Sequence, residues 1–302
     1  MPANSKSTHH EIPPAQAGEN RVQASLKLKF EHDPESGRTI LRENLYEPPL
    51  QVVRAFSHDD GTAMVHLHNV SGGLVGGDQF TCRVNVGSLA NAQLTTTGAT
   101  RVYRTRTELS GVSQRNKIVV EEGGLLELLP DEIIPFSGAK FCQETFITLG
   151  GGAGLFWWEI LAPGREARQE IFQYDKVEMK TRVMAGLRPI AAENICLRPA
   201  QHRMTSLASL GPYRYYATFY ICRVGVDSKS WRYLENHLLE VTHNLTRPDE
   251  MLWGVSVLVS DGLAVRCVGC NGREILPGLR AIWSRAKAYL YGRKAILPRK
   301  IN

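Results

Sequence analysis

The stretch ASLKLKFEHDPESGRTIL, residues 24–41, decides the fold class of this chain. Apolar Leu26, Leu28 and Phe30 alternate with charged residues, a period of two that is typical of a strand with one solvated face. The segment DPESG that follows is a turn signal, and the strand pattern resumes at 39–41. The stretch therefore predicts two β-strands joined by a turn.

Strand-like runs of this kind continue through most of the chain. Turn residues separate them roughly every eight to twelve positions, a rhythm typical of sandwiches, barrels and stacked β-layers. The predicted strands are 50–55, 63–68, 79–86, 93–97, 117–121, 125–129, 141–149, 154–161, 171–184, 193–197 and 213–222. No fixed-length repeat stands out, so the sequence alone does not predict a regular solenoid.

The last quarter of the chain changes character. Apolar residues at helical spacing predict a helix over 230–244, and a hairpin is expected over 253–267. A final helix has an apolar stripe; we expect Asn271 to cap it, Pro277 to bend its first turns and Gly292 to end it.

The predicted fold is therefore mainly β, with about two α-helices toward the C-terminus. Residues 1–22 are polar and without periodicity, and we expect them to form a disordered arm. Residues 23–302 are expected to form one large β domain with the C-terminal helices.

Composition excludes several classes of protein. A chain of 302 residues that is 43% hydrophobic can bury a large core, yet it has neither a signal-peptide pattern nor an apolar run of the roughly 18 residues that would span a membrane. Its six cysteines are scattered rather than framework-like, so we expect a cytoplasmic protein.

The net charge is +6, and eight Lys or Arg residues against one acid lie in 271–302. This basic segment is a solvated helix face or a contact for an acidic partner or nucleic acid. Basic residues interleaved with aromatics are sparse, so nucleic-acid binding ranks last among the readings.

Two motifs mark a tight corner: GGLVGGD at 72–78 and TTTGATRVYR at 95–104. Paired glycines permit a positive φ or a close approach of another group to the backbone. The corner has neither the P-loop ending nor the spacing of a dinucleotide-binding loop, and the common hydrolase and zinc-protease motifs are missing from the sequence.

Candidate metal ligands are acids and histidines. His66 and His68 lie on one face of a predicted strand, and Cys267 and Cys270 form a single CxxC without a second pair. The acids in apolar surroundings are Asp78, Glu132, Glu159 and Glu193. A buried carboxylate needs a cation or a ligand, so either salt bridges to arginine or metal contacts are expected. One alternative is a β-fold metal-dependent hydrolase that uses His66, His68 and Asp78.

Taken together, the motifs resemble the UreD family of urease accessory proteins, called UreH in some organisms. The resemblance covers about residues 24–301. It is carried by GRT at 37–39, PL at 49–50, the two corner motifs, LELLPDE at 126–132, WE at 158–159 with GR at 164–165, and LPR at 297–299. The chain departs from the family pattern at Thr97, at Arg101, at Asp131 and in its Cys267/Cys270 pair.

The resemblance implies a function without catalysis. Members of this family look like scaffolds that join UreF and the nickel-carrying GTPase UreG, with two copies in the accessory complex, and dock them on urease apoprotein. It also implies a layered, helically wound β fold, and an internal tunnel through which Ni²⁺ passes without a tightly bound cofactor. Contact with nucleic acid or membrane is not expected.

The family positions also suggest which residues line the path. Asp78, Glu159 and Glu193 fall where acids occur in the family, and Glu132 is the next candidate. Other residues are expected to shape the path, namely Gly76, Gly77, Thr100 and Arg101; His66 and His68 are weak metal candidates. Because a relay must release its ion at every step, spaced oxygen ligands suit it better than Cys and His clusters.

Overall fold

A computed structural model describes residues 22–206 and 209–298. The predicted arm, 1–22, lies outside the described residues except for Val22. The chain is mainly β, with two helices near the C-terminus, as predicted. Neither helix in the described part of the chain is long and apolar enough to cross a membrane.

The strands, in chain order, are β1 (Gln23–Asp33), β2 (Arg38–Tyr46), β3 (Leu50–Gln51), β4 (Ala55–Ser57), β5 (Ala63–Asn69), β6 (Gln79–Val86), β7 (Asn91–Thr96), β8 (Thr100–Val102), β9 (Val112–Val120), β10 (Leu125–Leu128), β11 (Ile133–Pro135), β12 (Lys140–Leu149), β13 (Gly154–Leu161), β14 (Lys176–Ala185), β15 (Arg188–Leu197), β16 (Tyr215–Arg223), β17 (Met251–Val257) and β18 (Gly262–Gly269). The helices are α1 (Ser228–Leu245) and α2 (Ile275–Tyr291).

These strands form two sheets. Sheet I has seven strands in the order β15-β14-β12-β9-β6-β1-β2. Sheet II has 11 strands, whose main path is β17-β18-β16-β13-β10-β7-β5-β3. Strands β5, β7, β10 and β13 pair in parallel in sheet II, while β6, β9 and β12, which alternate with them along the chain, pair in parallel in sheet I. The chain therefore winds as a helix and lays one strand on each sheet per turn.

Successive turns of this helix differ in length. In sheet II, Ala63 is paired with Ala92, Asn91 with Leu125, and Leu125 with Gly154. The unequal turns explain why no fixed repeat is visible in the sequence.

Two apolar layers hold the molecule together. One lies between the sheets and includes Leu28, Phe30 and Trp157. The other lies between the outer side of sheet II and the two helices, where Trp283 of α2 packs edge-on against Trp158 of β13. Strand β13 is buried along its whole length because it is covered on both sides.

The helix ends partly follow the sequence signals. Helix α1 is capped by Asp227, whose carboxylate accepts hydrogen bonds from the backbone of Lys229 and Ser230. The stop at Gly292 is confirmed, with φ +63°. The expected cap is wrong: α2 begins at Ile275, and Asn271 instead accepts a bond from the Arg273 backbone.

Several strand bounds also differ from those predicted from the sequence. Strand β15 begins at Arg188 rather than at 193, and the predicted strand 50–55 is divided into β3 and β4. Strand β9 begins at Val112, five positions before the predicted start, because its polar inner face hid the alternation. The long predicted run 171–184 is shorter, since a loop with a 3₁₀ turn at Glu166–Arg168 precedes β14.

Candidate functional site

A cavity of about 360 Å³ lies between the two sheets. Its walls come from inner-facing residues of β6, β9 and β12 on one side and of β7, β10 and β13 on the other. Its mouth is formed by the glycine corner, 72–74, and by the loop 97–101. Of the residues predicted to matter, the cavity brings together Glu159, Thr100, Arg101 and His68.

The glycine corner owes its shape to close contacts that exclude side chains. A Cβ atom at Gly73 would lie 2.4 Å from the Tyr103 ring and 2.9 Å from the Arg101 carbonyl oxygen. The Leu74 N–H donates a hydrogen bond to the Arg101 carbonyl, and the Leu74 carbonyl accepts one from the Tyr103 N–H. Glycine at 73 therefore lets the corner lie directly against the strand that borders the mouth.

Asp78 fastens this corner to the rest of the domain. Its carboxylate accepts hydrogen bonds from the backbone N–H of Val75 at 2.9 Å and of Val22 at 3.3 Å. The side chain is buried but does not line the cavity. Gly76 and Gly77 lie in the same turn, and Gly77 has φ +94°. The contacts of Asp78 are those of a residue that shapes the mouth.

Glu159 is a buried carboxyl group without a counter-ion. It points from β13 into the cavity, is 8% exposed, and accepts a hydrogen bond from the Gln143 amide. No basic side chain within 22–206 and 209–298 forms an ion pair with it, so the expected bridge to an arginine is not formed there. Arg165 instead pairs with Glu170.

Burial raises the pKa of Glu159 from 4.5 to about 8, with the Gln143 bond lowering it and the charge of Glu193 raising it further. At neutral pH the group is mostly a neutral acid. A cation that enters the cavity would compete with the proton for this oxygen pair.

Glu159 belongs to a band of polar side chains across the interior, which we call the polar belt. In sheet I its members occupy adjacent register positions on five strands: Cys82, Asn116, Thr145, Thr181 and Glu193. In sheet II its members are Glu159, Thr218 and Arg266. The belt runs across the strands from the cavity, which Cys82 and Asn116 line, toward β15 and β18. Polar groups in such a core are costly unless they bond to each other, as Asn116 does to Thr145 at 3.0 Å.

Glu193 lies at the far end of the polar belt. Its carboxylate accepts hydrogen bonds from the hydroxyls of Tyr216 at 3.0 Å and Tyr220 at 2.6 Å, and it pairs with Arg266 at 3.1 Å. The Tyr220 ring stacks on Trp157, a wall residue of the cavity. Glu193 is thus separated from the cavity by one layer of aromatic side chains.

Glu132 lies near the mouth but does not line the cavity; its neighbour Asp131 does. The backbone N–H of Thr100 bonds to the Glu132 carbonyl at 2.8 Å, which ties β8 to this loop. Burial, together with the charges of Asp131 and Glu166, raises the pKa of the Glu132 carboxyl. A cluster of acids thus borders the mouth on the side of sheet II.

The histidines and cysteines form no metal site among the described residues. The rings of His66 and His68 are 6.4 Å apart, and the rest of the described chain brings no third ligand to make a group of three or more. Cys267 is buried in the apolar layer under the helices, while Cys270 lies 3.5 Å from the Asp249 carbonyl oxygen. The hydrolase alternative therefore has no ligand cluster there on which to rest.

Sequence reasoning missed a buried polar cluster under α2. Glu127 of β10 pairs with Lys287 at 3.0 Å and accepts bonds from Trp283 at 2.9 Å and Gln93 at 3.1 Å. Lys287 had been counted in the basic segment, yet it is only 1% exposed. Its position four residues after Trp283 and three before Leu290, on the apolar stripe of α2, was the available signal.

The sequence of this chain is similar to those of known proteins. The family model described as UreD urease accessory protein matches residues 22–302. A protein of Herpetosiphon aurantiacus named urease accessory protein UreD is 42% identical over 93% of this chain and 97% of its own length. One of the same name from Alcanivorax borkumensis is 29% identical over 88% and 86%. A Helicobacter acinonychis protein named urease accessory protein UreH is 30% identical over 63% and 71%. The chain therefore belongs to the UreD family of urease accessory proteins.

Proposed function

We propose that this chain is a non-catalytic scaffold that conducts Ni²⁺ through its interior to nascent urease. The cavity and the polar belt form the conduit, and the ion is cargo rather than a resident cofactor. The observation that carries the proposal is Glu159, a carboxyl group that is buried in the cavity and forms no ion pair with any described residue. Burying such a group costs several kcal/mol, and a passing cation offers a reason to keep it.

The ligands of the belt suit transport better than storage. Carboxyl, amide and hydroxyl oxygens bind Ni²⁺ more weakly than clusters of imidazole or thiolate would. Burial raises the pKa of the Cys82 thiol to about 12, so this residue does not supply a thiolate at neutral pH. Each site can therefore release the ion to the next, as conduction requires.

The proposal includes the partners that the resemblance to the family implies. UreG delivers the nickel, UreF joins UreG to this chain, and two copies of the chain work in one cytoplasmic accessory complex on urease apoprotein. The acids that border the mouth, Asp131 and Glu132, favour entry of a cation at this end.

The nickel content of urease apoprotein tests the proposal. Urease is produced with UreE, UreF and UreG, either with or without this chain, and the metal is measured after purification. We expect bound nickel only when the chain is present. Equal nickel in both preparations would overturn the proposal.

A matched pair of variants then tests the conduit. Glu159→Gln keeps the size of the side chain and its bond to Gln143 but removes the ionisable group, and we expect it to lower the nickel content of urease at least several-fold. Glu144→Gln, on the outer face of β12, serves as the control and should leave nickel loading unchanged. Normal loading in Glu159→Gln, with the accessory complex assembled, would remove Glu159 from the path.

A further inference from the structure

The far end of the polar belt reaches the surface at one place. The side chain of Glu193 is 15% exposed and that of Arg266 is 48% exposed, whereas Thr181 and Thr218 behind them are buried. A cation moving along the belt away from the cavity would therefore meet Glu193 last.

Arg266 occupies this position already. Its Nε and one terminal nitrogen both lie 3.1 Å from the same oxygen of Glu193, and the other oxygen is held by Tyr220. The guanidinium thus neutralises the carboxylate that would attract a metal ion, and it places a positive charge in the ion's way. An arginine at a constriction is an effective electrostatic barrier to cations.

The Arg266 side chain can also move away from Glu193. Arg266 has a long side chain, and its only ion pair in the described chain is with Glu193. The guanidinium side of the pair is 48% exposed, so water can hydrate it once it leaves Glu193. The two tyrosine hydroxyls would keep Glu193 hydrogen-bonded after the arginine leaves. Its departure therefore opens the end without dismantling the fold.

We propose that Arg266 closes the far end of the polar belt to divalent cations, and that this end opens when the guanidinium turns away from Glu193. The inference rests on the proposed function of the belt as a conduit. An acidic group on a docked protein is the chemistry that would draw the guanidinium outward, because it offers the same kind of partner that Glu193 does.

Access to a cysteine placed behind Arg266 tests the closure without nickel or urease. The reporter is Thr181→Cys, since position 181 pairs with Glu193 in the sheet. The full-length chain is treated with two thiol reagents, neutral methyl methanethiosulfonate and its cationic trimethylammonium-ethyl analogue, and modification at position 181 is followed by peptide mass spectrometry.

In the reporter background we expect Arg266→Ala to speed modification by the cationic reagent at least tenfold, and by the neutral reagent much less. Adding Glu193→Gln should abolish the preference for the cation. Arg188→Ala is the matched control: it removes another arginine ion pair, with Asp261, on the same strand as Glu193, and should change neither rate.

Equal acceleration by both reagents, or no acceleration, would overturn the closure. Modification of Cys82, inside the cavity, reports general loosening of the domain. If Arg266→Ala raises the modification rates at Cys82 and at position 181 alike, the test is repeated with Arg266→Gln, which keeps a hydrogen-bond donor. Arg266→Gln must then show the same preference for the cationic reagent at position 181. Unchanged access together with normal nickel loading would reject the gate and leave the conduit standing.

Discussion

Glu159 illustrates the conflict between stability and function in a single residue. It is an acid within an otherwise apolar strand, and the one side-chain hydrogen bond that it forms within the described chain comes from the Gln143 amide. The free acid fits this environment, but the carboxylate does not. Folding therefore favours the protonated form, while a passing cation favours the ionised one.

The pH dependence of stability follows from the raised pKa. The unfolded chain releases this proton near pH 4.5 and the folded chain near pH 8, so the unfolded state binds fewer protons between these values. The contribution of Glu159 to stability is therefore lost as pH rises from about 4.5 to about 8. One pKa unit corresponds to about 1.4 kcal/mol, which makes the total loss several kcal/mol.

We expect Glu159→Gln to remove this loss. The melting temperature of the variant should match that of the unmodified chain near pH 5 and exceed it increasingly toward pH 8. Thermal unfolding between pH 5 and 8.5, with Glu144→Gln as the control, measures the difference. Parallel curves for the chain and for Glu159→Gln would contradict the raised pKa.

Individual residues of the site could be identified from the sequence, but their contacts with one another could not. A run of apolar residues around Glu159 was enough to single out that acid. The partners of Glu193 could not be found, because Tyr216, Tyr220 and Arg266 come from strands more than twenty positions away and look like ordinary polar edges of β-strands. Which acids form an ion pair with an arginine depends on which strands of the two sheets face each other.

At the scale of elements, α2 is fixed to sheet II by a buried ion pair as well as by apolar packing. Lys287 and Glu127 are each about 1% exposed, and Trp283 and Gln93 satisfy the remaining oxygen sites. Removing one partner of such a pair leaves a buried charge and costs about 3–5 kcal/mol. Replacing both partners leaves no charge and is often nearly neutral.

We therefore expect Lys287→Met to destabilise the chain by about 3 kcal/mol or more, and the double variant Glu127→Gln with Lys287→Met to recover most of that loss. Urea unfolding of the two variants measures the difference. Arg285→Met, at an exposed position two residues earlier on α2, is the control and should have little effect. A double variant less stable than Lys287→Met would show that the carboxylate is held by its other donors.

Elements were predicted with uneven success for a physical reason. Helix α2 was recognised from its stripe and its terminal Gly292, which are local signals. Its start was misplaced because packing against sheet II, rather than a side-chain cap, sets the first turn. Strand β9 was cut short because Gln114 and Asn116 face inward, where the alternation rule expects apolar residues.

At the scale of the whole molecule, one end of the two sheets exposes apolar side chains. Leu187, at the β14–β15 turn, is 97% exposed, and Val259, before β18, is 83% exposed. The ion pair of Arg188 with Asp261 joins these two turns. Exposed apolar groups that lie together mark surfaces for association.

We expect the isolated chain to self-associate as its concentration rises, and the double variant Leu187→Ser with Val259→Ser to do so less. Both side chains are exposed, so the free energy of unfolding should change by no more than about 0.5 kcal/mol. Light scattering after size exclusion, over a range of concentrations, measures association. Val53→Ser changes an exposed apolar residue on another part of the surface and is the control. Equal association of the unmodified chain, the double variant and the control would place the contact at another surface.

The order of strands in the whole molecule lay beyond the sequence. Alternation predicts that strands exist, but it does not tell which of the two sheets each one joins. The helical winding was predicted only from the resemblance to the UreD family. Because the turns differ in length, the sequence has no fixed repeat from which the winding could be predicted directly.

The ion pair under α2 has a consequence for the time course of synthesis. Glu127 leaves the ribosome 160 residues before Lys287 does. Until then its strand can take its place in sheet II only with a carboxylate that lacks its cation. Domains generally fold as units, so the last helix acts as the completing piece, and a nascent chain that stops short of it leaves part of one face of sheet II open to water.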